Sequence, residues 1–428
     1  SQGTTTLNGT TISNNTALST TGWGNGGGIS INNTGTIDIN DATISGNQSI
    51  YGGGVGAYDT AVVNVKGNTS INNNRTTENG GGGIAASGSS AINLNSATIS
   101  ANEAPFGSGV GVWNSAEIIM KDAVSIVQNT VTSANTDVTG GAVYVSGFEK
   151  GGSRFVMEGG NIQNNTSTGV IHCAGIFIEG YRDTALVQIK GGTISNNKNQ
   201  NGDDQSVVVR ASEDDAGKNS LGKLELSGSP TITGQVLLRK DTSEDIKVDV
   251  VDTFKPTQPV AIDVYDNEWI NHRVIVTFAT GLTPDASMFK PYQESLVQAI
   301  VQNKQDLECM NKVQVIFKNA DGTNNKEMYV LPGTKIARDE IPTVTRPGYK
   351  FKCWKYGQDG TEWDFSKKEI TDEITVFVPE WEKDSQIHKI KYNTNTSEKI
   401  EDMEVKNGDK VEKPKITAKG KFISGWYT

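Results

Sequence analysis

Aliphatic and polar residues alternate in short runs through the first half of this 428-residue chain. Thr36-Ile37-Asp38-Ile39 and Ala91-Ile92-Asn93-Leu94 alternate with a period of two, which is typical of β-strands, and no stretch keeps a helical apolar period. An Ile-x-x-Asn motif recurs with its central isoleucines at positions 44, 71, 99 and 126, at intervals of 27, 28 and 27 residues. A fixed period of this length indicates a stacked repeat architecture. The motif marks seven positions: Ile12/Asn15, Ile44/Asn47, Ile71/Asn74, Ile99/Asn102, Ile126/Asn129, Ile162/Asn165 and Ile194/Asn197.

Each repeat is predicted to form one coil of a right-handed parallel β-helix. Side chains such as Ile37, Ile92 and Ile99 would point inward, where burial of each contributes about 1.5–3 kcal/mol. Every coil would cover the open backbone edge of its neighbour, so the coils are stable only as a stack. The pattern predicts a rod of about eight coils, roughly 40 Å long at the strand spacing. The fold class is therefore all-β.

The repeated asparagine and a glycine cluster predict the two corners of each coil. Asn tolerates the left-handed backbone of a sharp corner, and stacked amides can hydrogen-bond from coil to coil as a ladder. The alternative is that the asparagine row forms a ligand-binding or ice-binding comb. Glycines such as Gly52, Gly80 and Gly140 would permit positive φ at the other corner.

Length variation concentrates between the repeated asparagine and the aliphatic residue after the glycines. That distance varies from 8 to 14 residues, whereas the following span holds at 15 or 16 through most of the repeats. Insertions on one face of a solenoid often mark its binding face. The inserted stretches are 16–25, 130–139 and the bend at 146–154.

Aromatic residues cluster near this variable corner. Strand alternation sends Tyr58 and Trp113 outward at equivalent positions two coils apart, so their rings would lie about 10 Å from each other, close to the spacing of sugar rings in a glycan. Tyr144 and Phe177 occupy another outward row, and Trp23 lies in the longest inserted loop. These residues are the candidate ligand-binding set, as a stacking platform for a glycan. The alternative is that the rings cover a corner or a neighbouring insertion.

Composition narrows the partner classes. Residues 1–200 hold only 20 of the 88 charged side chains, the net charge is −10, and no Lys/Arg stripe with interleaved aromatics argues for nucleic acid. Three cysteines are too few for a disulfide framework, and no motif predicts a cofactor or a metal site. No signal peptide or 18-residue apolar run predicts membrane insertion, so targeting signals are expected to lie outside this fragment.

The composition and the periodicity both change near residue 235. We therefore expect the β-helix to span 1–235 and a β-rich cap or linker domain to span 236–310. Within this cap, residues 296–309 fit a hairpin or an amphipathic helix equally well. A different pair of repeats follows, complete over 311–384 and incomplete over 385–428.

These C-terminal repeats resemble a known family. The first carries Gly348-Tyr349-Lys350-Phe351-Lys352-Cys353-Trp354 and the second ends in Gly425-Trp426, and together they resemble the Listeria-Bacteroides repeat, also called the internalin B-repeat. The resemblance implies a small β-grasp-like module of bacterial surface proteins. The N-terminal repeats resemble β-helical surface adhesins, including chlamydial polymorphic outer-membrane repeats, through Gly140-Gly141-Ala142-Val143. The two resemblances imply an extracellular protein of a Gram-positive cell surface.

The function that fits these patterns is a non-catalytic adhesin. It would bind host glycan, mucin or another host glycoprotein such as immunoglobulin, and it would attach to the bacterial cell wall through regions outside this fragment. The alternatives are a structural surface spacer and a polysaccharide-cleaving β-helix enzyme. Enzyme candidates are Asp203/Asp204, Asp214/Asp215 and Asn135-Thr136-Asp137. Adjacent acids within one coil do not face each other across a sugar, which disfavours catalysis.

Overall fold

The computed structural model confirms an all-β protein whose first part is a parallel β-solenoid of about nine turns. The chain divides into two compact units, 1–310 and 311–428, which are described separately. The structure describes residues 3–18, 26–133, 140–148, 151–169, 173–213, 219–240, 245–265, 269–293, 296–371, 374–393, 399–407, 409–411 and 414.

Each coil of the solenoid contributes up to four short strands, and strands at equivalent positions form four rows along the solenoid. Rows 1 and 2 lie side by side, and the strands Ala91–Ser100 and Glu117–Val127 run through both. The other strands of row 1 are Thr4–Asn8, Thr36–Asn40, Val62–Lys66, Ser153–Met157, Ala185–Ile189, Asn219–Gly228, Val248–Phe254 and Val274–Phe278. Those of row 2 are Thr11–Ser13, Thr43–Ser45, Thr69–Asn72, Asn161–Gln163, Thr193–Ser195 and Thr231–Ile232.

Rows 3 and 4 complete the coil. Row 3 consists of the two-residue strands Thr16–Ala17, Gln48–Ser49, Arg75–Thr76, Glu103–Ala104, Thr130–Val131 and Thr166–Ser167. Row 4 consists of Ile29–Ile31, Val55–Ala57, Ile84–Ala86, Val110–Trp113, Val143–Ser146, Ile176–Gly180, Gln205–Glu213, Gln235–Lys240, Val260–Val264 and Phe289–Pro291.

The solenoid core is the stack of inward aliphatic side chains that the alternation predicts. Parallel pairing places Ile44 between Ile12 and Ile71, and Ile99 follows directly. Ile44, Ile71 and Ile99 are fully buried in one continuous cluster with the inward residues of rows 1 and 4. The repeat period thus delivers one aliphatic layer per coil, and each layer packs only on its neighbours.

The repeated asparagines form a buried amide ladder, as predicted. In each step a side-chain Nδ2 donates to the Oδ1 of the next asparagine, as Asn74 does to Asn102 at 3.0 Å and Asn102 to Asn129 at 3.0 Å. Nδ2 of Asn102 also donates to the Ile71 carbonyl at 2.9 Å. Because the ladder amides from Asn47 to Asn197 have no exposed surface, they cannot serve as a ligand-binding or ice-binding comb.

The left-handed residue at this corner is not the ladder asparagine, so that part of the prediction was wrong. Positive φ falls one position earlier, for example at Asn73 (53°), Ala101 (53°) and Gln128 (58°). The ladder residue must instead direct its amide inward along the stack. At the opposite corner Gly52 has φ of 60°, and a Cβ on Gly54 would lie 2.6 Å from the Gly83 carbonyl oxygen. Glycine is therefore required there for close approach of coils as well as for φ.

Parallel pairing continues beyond residue 235, where the Ile-x-x-Asn motif stops. Gln235–Lys240 pairs with Gln205–Glu213 on one side and with Val260–Val264 on the other. The stack ends where Asp306–Asn311 pairs antiparallel with Val274–Phe278. Gln298–Asn303 and Asp306–Asn311 are both strands, so segment 296–309 is extended and does not form the amphipathic helix. A 3-10 turn occupies Ala286–Met288.

The second unit contains a four-stranded mixed sheet with its own core. In spatial order its strands are Asn324–Val330, Val313–Lys318, Ile374–Lys383 and Tyr349–Tyr356, and a 3-10 turn occupies Arg338–Glu340. Phe317 and Phe377 are fully buried and pack at 5.1 Å between ring centroids. Beyond this sheet Ile387–Ile390 pairs with Met403–Lys406. Gly425-Trp426 of the second repeat lies outside the described residues.

Candidate functional site

Row 4 differs from the other rows because its strands from Val55–Ala57 to Val143–Ser146 are buried on both faces. Val110 and Val112 face the solenoid core, and the alternate positions carry a second apolar layer on the outer face. In that layer Tyr144 lies between Gly111 and Phe177 in the strand register. Strands buried on both faces are expected to be continuously apolar, as Val55–Ala57, Ile84–Ala86 and Val110–Trp113 are. The outer layer consists of Ala85, Trp113, Tyr144, Cys173, Phe177, Val208 and Leu237, with Phe106 and Tyr265 packed against it.

Tyr58 and Trp113 point out of the solenoid core, as predicted, but they do not form an open platform. Each ring folds back over the glycine two residues earlier, so a Cβ on Gly56 would lie 2.6 Å from the Tyr58 ring, and one on Gly111 would overlap Trp113. Only 8% of Tyr58 and 9% of Trp113 are exposed. The predicted pair of exposed rings about 10 Å apart is therefore wrong, because Gly-x-aromatic segments let the rings lie down on the sheet.

Phe106, from the loop before row 4, brings the aromatic side chains together. Its ring lies 6.2 Å from Trp113 in an edge-to-face arrangement and 5.0 Å from Tyr144. Tyr144 in turn stacks on Phe177 with centroids 5.8 Å apart and planes 11° apart. Offset and edge-to-face pairs of this kind contribute about 0.5–1.5 kcal/mol each beyond area burial. The result is a fixed aromatic cluster on one corner of the solenoid.

A groove of about 220 Å³ opens beside this cluster. Phe148, 38% exposed, stands at its rim and stacks on Tyr181 at 5.7 Å. The groove takes in three of the five predicted ligand-binding residues, Tyr58, Trp113 and Tyr144. Phe177 is fully buried beneath the groove, and Trp23 lies outside the described residues. The described residues that line the groove are Tyr51, Tyr58, Asn79, Ser87, Phe106, Trp113, Asn114, Tyr144 and Phe148. This lining contains no Lys, Arg, Asp or Glu.

The Tyr144 hydroxyl is used inside the protein. It donates to Glu179 Oε2 at 2.5 Å, and Arg210 pairs with the other Glu179 oxygen at 2.9 Å. Burial first, and the neighbouring Glu179 carboxylate second, raise the pKa of Tyr144 well above its ordinary value. The hydroxyl therefore stays protonated and fixes the Tyr144 ring as one wall of the groove.

Two other polar atoms of the groove have no hydrogen-bond partner among the described residues. These are the Tyr58 hydroxyl and the Asn114 side-chain carbonyl oxygen, Oδ1. The Asn114 amide nitrogen donates to Ser87 Oγ at 3.1 Å, which orients the side chain in the groove wall. Burial is the main cause that raises the pKa of Tyr58, so this hydroxyl is a neutral donor. Buried polar atoms without partners are uncommon in native proteins and call for an explanation.

Sequence reasoning missed several groove residues: Tyr51, Asn79, Phe106, Asn114 and Phe148. They lie in turns and loops next to the strands of row 4, and their residue types are not repeated from one coil to the next. One readable signal was the spacing Gly56-Ala57-Tyr58 and Gly111-Val112-Trp113, because a glycine two residues before an aromatic leaves space on the same face of a strand.

The carboxylates named for a catalytic alternative have structural partners where they are described. Asp204 accepts backbone N–H bonds from Asn196 at 2.9 Å and Asn197 at 3.1 Å, at the last step of the amide ladder. Asp203 accepts from the Asn199 amide at 3.1 Å. Asp214/Asp215 and 135–137 lie outside the described residues. Within the described part of the chain, no group of three His, Cys, Asp or Glu side chains is arranged to hold a metal ion.

Comparison with known proteins gives a match in the second unit. No curated protein is significantly similar to the chain. None of the helices in the described ranges has the length and apolar character of a membrane span. Residues 314–377, within the four-stranded sheet, match the Listeria-Bacteroides repeat domain, a repeat typical of extracellular surface proteins.

Proposed function

We propose that this chain is a non-catalytic bacterial surface protein whose solenoid binds an uncharged glycan of a host glycoprotein through the aromatic groove. The observation that carries the proposal is the groove itself, with rings of Trp113 and Tyr58 beside a polar atom of Asn114 that lacks a partner. Binding sites typically combine apolar walls with a few oriented polar groups. The Listeria-Bacteroides repeat supports a surface location, and the repeat units would act as a stalk attached to the cell wall.

The size of the groove limits what it takes. Its volume of about 220 Å³ is below the ~300–1,000 Å³ of pockets for drug-sized ligands, so it fits a single ring or terminal group. A site this small binds weakly on its own. Useful affinity would come from many copies displayed on the cell surface against a ligand with many equivalent groups. Mucin is such a ligand, and immunoglobulin is a ligand with fewer glycans.

A structural spacer is the second candidate, supported by the amide ladder that runs without interruption from Asn15 to Asn197. Such a stack of coils makes a stiff rod that needs no ligand to function. An enzyme has less support, since Asp204 is occupied by backbone N–H groups. Loss of product release from mucin on Asp204→Asn would favour the enzyme over both other candidates.

The test is binding of the full chain to immobilised desialylated mucin and to immunoglobulin, with Trp113→Ala and Phe148→Ala as groove variants. Tyr349→Ala is the matched control, because it removes an exposed ring of the second unit. We expect an affinity loss of about tenfold or more for the groove variants, as for a central aromatic contact, and none for the control. Circular dichroism and thermal unfolding confirm that each variant is folded. Absence of binding by the parent chain, or equal binding by the folded groove variants, contradicts the proposal and favours the spacer.

A further inference from the structure

We infer that the groove recognises an acetamido group, and so takes N-acetylhexosamines in preference to the corresponding hexoses and to acidic sugars. This inference rests on the proposed function and narrows it to a ligand chemistry. Three observations carry it: the uncharged lining, the two unpartnered polar atoms, and the apolar rings that surround them.

The uncharged lining excludes one class of ligand. Carboxylate and sulfate groups are held in proteins by Arg, Lys or converging N–H donors, and the described residues that line the groove include no Arg or Lys. A buried charge without such partners is strongly destabilised. Arg182 stacks over Phe148 at the groove rim, 5.2 Å from the ring centroid, and Arg210 of the aromatic layer is paired with Glu179. Sialylated and sulfated groups inside the groove would therefore lack a cationic partner among the described residues that line it.

The two unpartnered atoms specify complementary polar groups. The Tyr58 hydroxyl needs an acceptor, and Asn114 Oδ1 needs a donor. An acetamido group supplies a carbonyl acceptor and an N–H donor on opposite edges of one planar unit. Its methyl group would then contact aromatic carbon from Phe106 and Trp113. A hydroxyl group in the same place can form hydrogen bonds, but it has no methyl group to contact the apolar walls.

The two unpartnered atoms are not open to solvent, which sets a condition on how the group enters. Tyr58 is nine-tenths buried and its hydroxyl has no exposed surface, and the same holds for Asn114 Oδ1. A ligand reaches these atoms only when a lining side chain moves aside. Association should therefore be slower than for an open surface.

The first measurement is calorimetric titration of the full chain with methyl glycosides. The pairs are N-acetylgalactosamine against galactose and N-acetylglucosamine against glucose, with glucuronic acid, which carries a carboxylate and no acetamido group, as the acidic sugar. We expect at least about tenfold tighter binding of the acetamido member and no binding of glucuronic acid. Equal affinity within each pair overturns the inference, and so does preferential binding of glucuronic acid.

The second measurement uses two tyrosine variants that each lose one hydroxyl. Tyr58→Phe removes a hydroxyl without an internal partner, so we expect affinity for the acetamido sugar to fall three- to tenfold while the melting temperature is unchanged or rises. Tyr349→Phe removes a hydroxyl of the second unit, outside the groove lining, so we expect an unchanged melting temperature and unchanged affinity. Unchanged affinity in Tyr58→Phe overturns the inference.

Two further ligands distinguish a host source of the acetamido group from a cell-wall source. A third comparison distinguishes failure of this inference from failure of the proposed function. Serine-linked N-acetylgalactosamine represents host mucin, and a chito-oligosaccharide represents the β-1,4-linked glycans of cell walls. Binding of either, lost in Trp113→Ala, supports an acetamido site, and the tighter ligand identifies the source. A proline-rich peptide tests the other class of ligand that aromatic grooves bind. If mucin binding depends on Trp113 while the acetamido and plain sugars bind equally, the inference fails and the proposed function stands.

Discussion

The amide ladder and the aromatic groove are both built from side chains at equivalent positions of successive coils, yet they differ in how their polar atoms are paired. In the ladder, the Asn102 side chain accepts two hydrogen bonds from Asn74 and donates to Asn129 and Ile71. In the groove, the Tyr58 hydroxyl and Asn114 Oδ1 are buried without a partner among the described residues. The ladder amides are thus paired from coil to coil, whereas these two groove atoms are unpaired, as Ser108 Oγ and Gln205 Oε1 are elsewhere in the described part of the solenoid.

The contrast separates stability from function on physical grounds. An unpaired buried polar atom destabilises the fold by about 1–3 kcal/mol, so a solenoid under selection for rigidity alone would remove it. A Phe at position 58 would keep the ring and delete the unpaired atom. The hydroxyl at position 58 differs from other unpaired atoms such as Ser108 Oγ in belonging to a residue that lines the groove, where the proposed ligand would pair it.

The largest effect is expected from breaking the ladder. Asn102→Leu removes the acceptor of the Asn74 backbone N–H and side chain and the donor to Asn129 and Ile71. We expect a loss of about 3–5 kcal/mol in the free energy of unfolding, measured by urea titration and circular dichroism. The control is Asn40→Ala, an exposed amide that donates to Asn8 Oδ1 at 2.9 Å, with an expected loss below about 1 kcal/mol. Equal losses in the two variants would mean that the ladder does not stabilise the stack.

A smaller loss of stability is expected from removing the Tyr144 hydroxyl, which is hydrogen-bonded within the aromatic layer. Tyr144→Phe removes the 2.5 Å hydrogen bond to Glu179, whose carboxylate keeps Arg210 as a partner. We expect the free energy of unfolding to fall by about 1.5–2 kcal/mol, the range for a hydrogen bond to a charged group. Chemical denaturation at pH 7 measures it. An unchanged stability would show that the hydroxyl is hydrated rather than bonded to Glu179.

Alkaline pH should weaken the aromatic layer and leave the ladder amides unaffected, because amides do not titrate. Burial raises the folded-state pKa of Tyr58 and Tyr144 above the unfolded value of 10.0. Their contribution to stability is thus complete below pH 10 and declines as pH rises above it, by about 1.4 kcal/mol per pH unit for each group. Cys173, with its pKa raised to about 12 by burial, adds to the decline. Urea titrations from pH 9 to 12 should show a shallower slope for Tyr58→Phe than for the parent, and identical slopes would refute the assignment.

The smallest effect has the opposite sign. Tyr58→Phe at pH 7 should leave the free energy of unfolding unchanged or raise it by about 0.5–1 kcal/mol, since it deletes a buried hydroxyl that lacks a partner. Differential scanning calorimetry beside Tyr144→Phe measures the difference. A loss above about 1 kcal/mol would indicate an internal partner for the hydroxyl and would remove the distinction between the two tyrosines.

The same two regions show what the sequence can predict. The ladder follows from Ile-x-x-Asn because a fixed period brings equal residues into register on neighbouring coils, as Asn74 and Asn102 show. The position of the residue with positive φ was predicted wrongly, because residues as different as Ala101 and Gln128 adopt this conformation just before the ladder asparagine. The outward direction of Tyr58 and Trp113 followed from strand alternation. The burial of Trp113 did not, because it depends on contact with Phe106, an aromatic residue at a corner position where Gly80 stands in the preceding coil.

The division between solenoid and cap shows a second limit. Charge and motif both change near residue 235, but parallel pairing of Gln235–Lys240 and Val260–Val264 continues the stack. A coil needs an inward aliphatic layer but does not need the asparagine ladder, so the solenoid continues along the chain after the Ile-x-x-Asn motif has stopped. By contrast, the match at 314–377 was predicted from the sequence, because Gly-Tyr-x-Phe-x-x-Trp is a dense local signature.

The most direct test of the groove is saturation-transfer NMR of the full chain with methyl N-acetylgalactosaminide, in which aromatic protons of the protein are irradiated. The account predicts that the acetyl methyl protons receive the strongest saturation, because the group lies among the rings of Phe106 and Trp113, and that the signal is lost in folded Trp113→Ala. Uniform weak saturation of the sugar, or an unchanged signal in that variant, would contradict it.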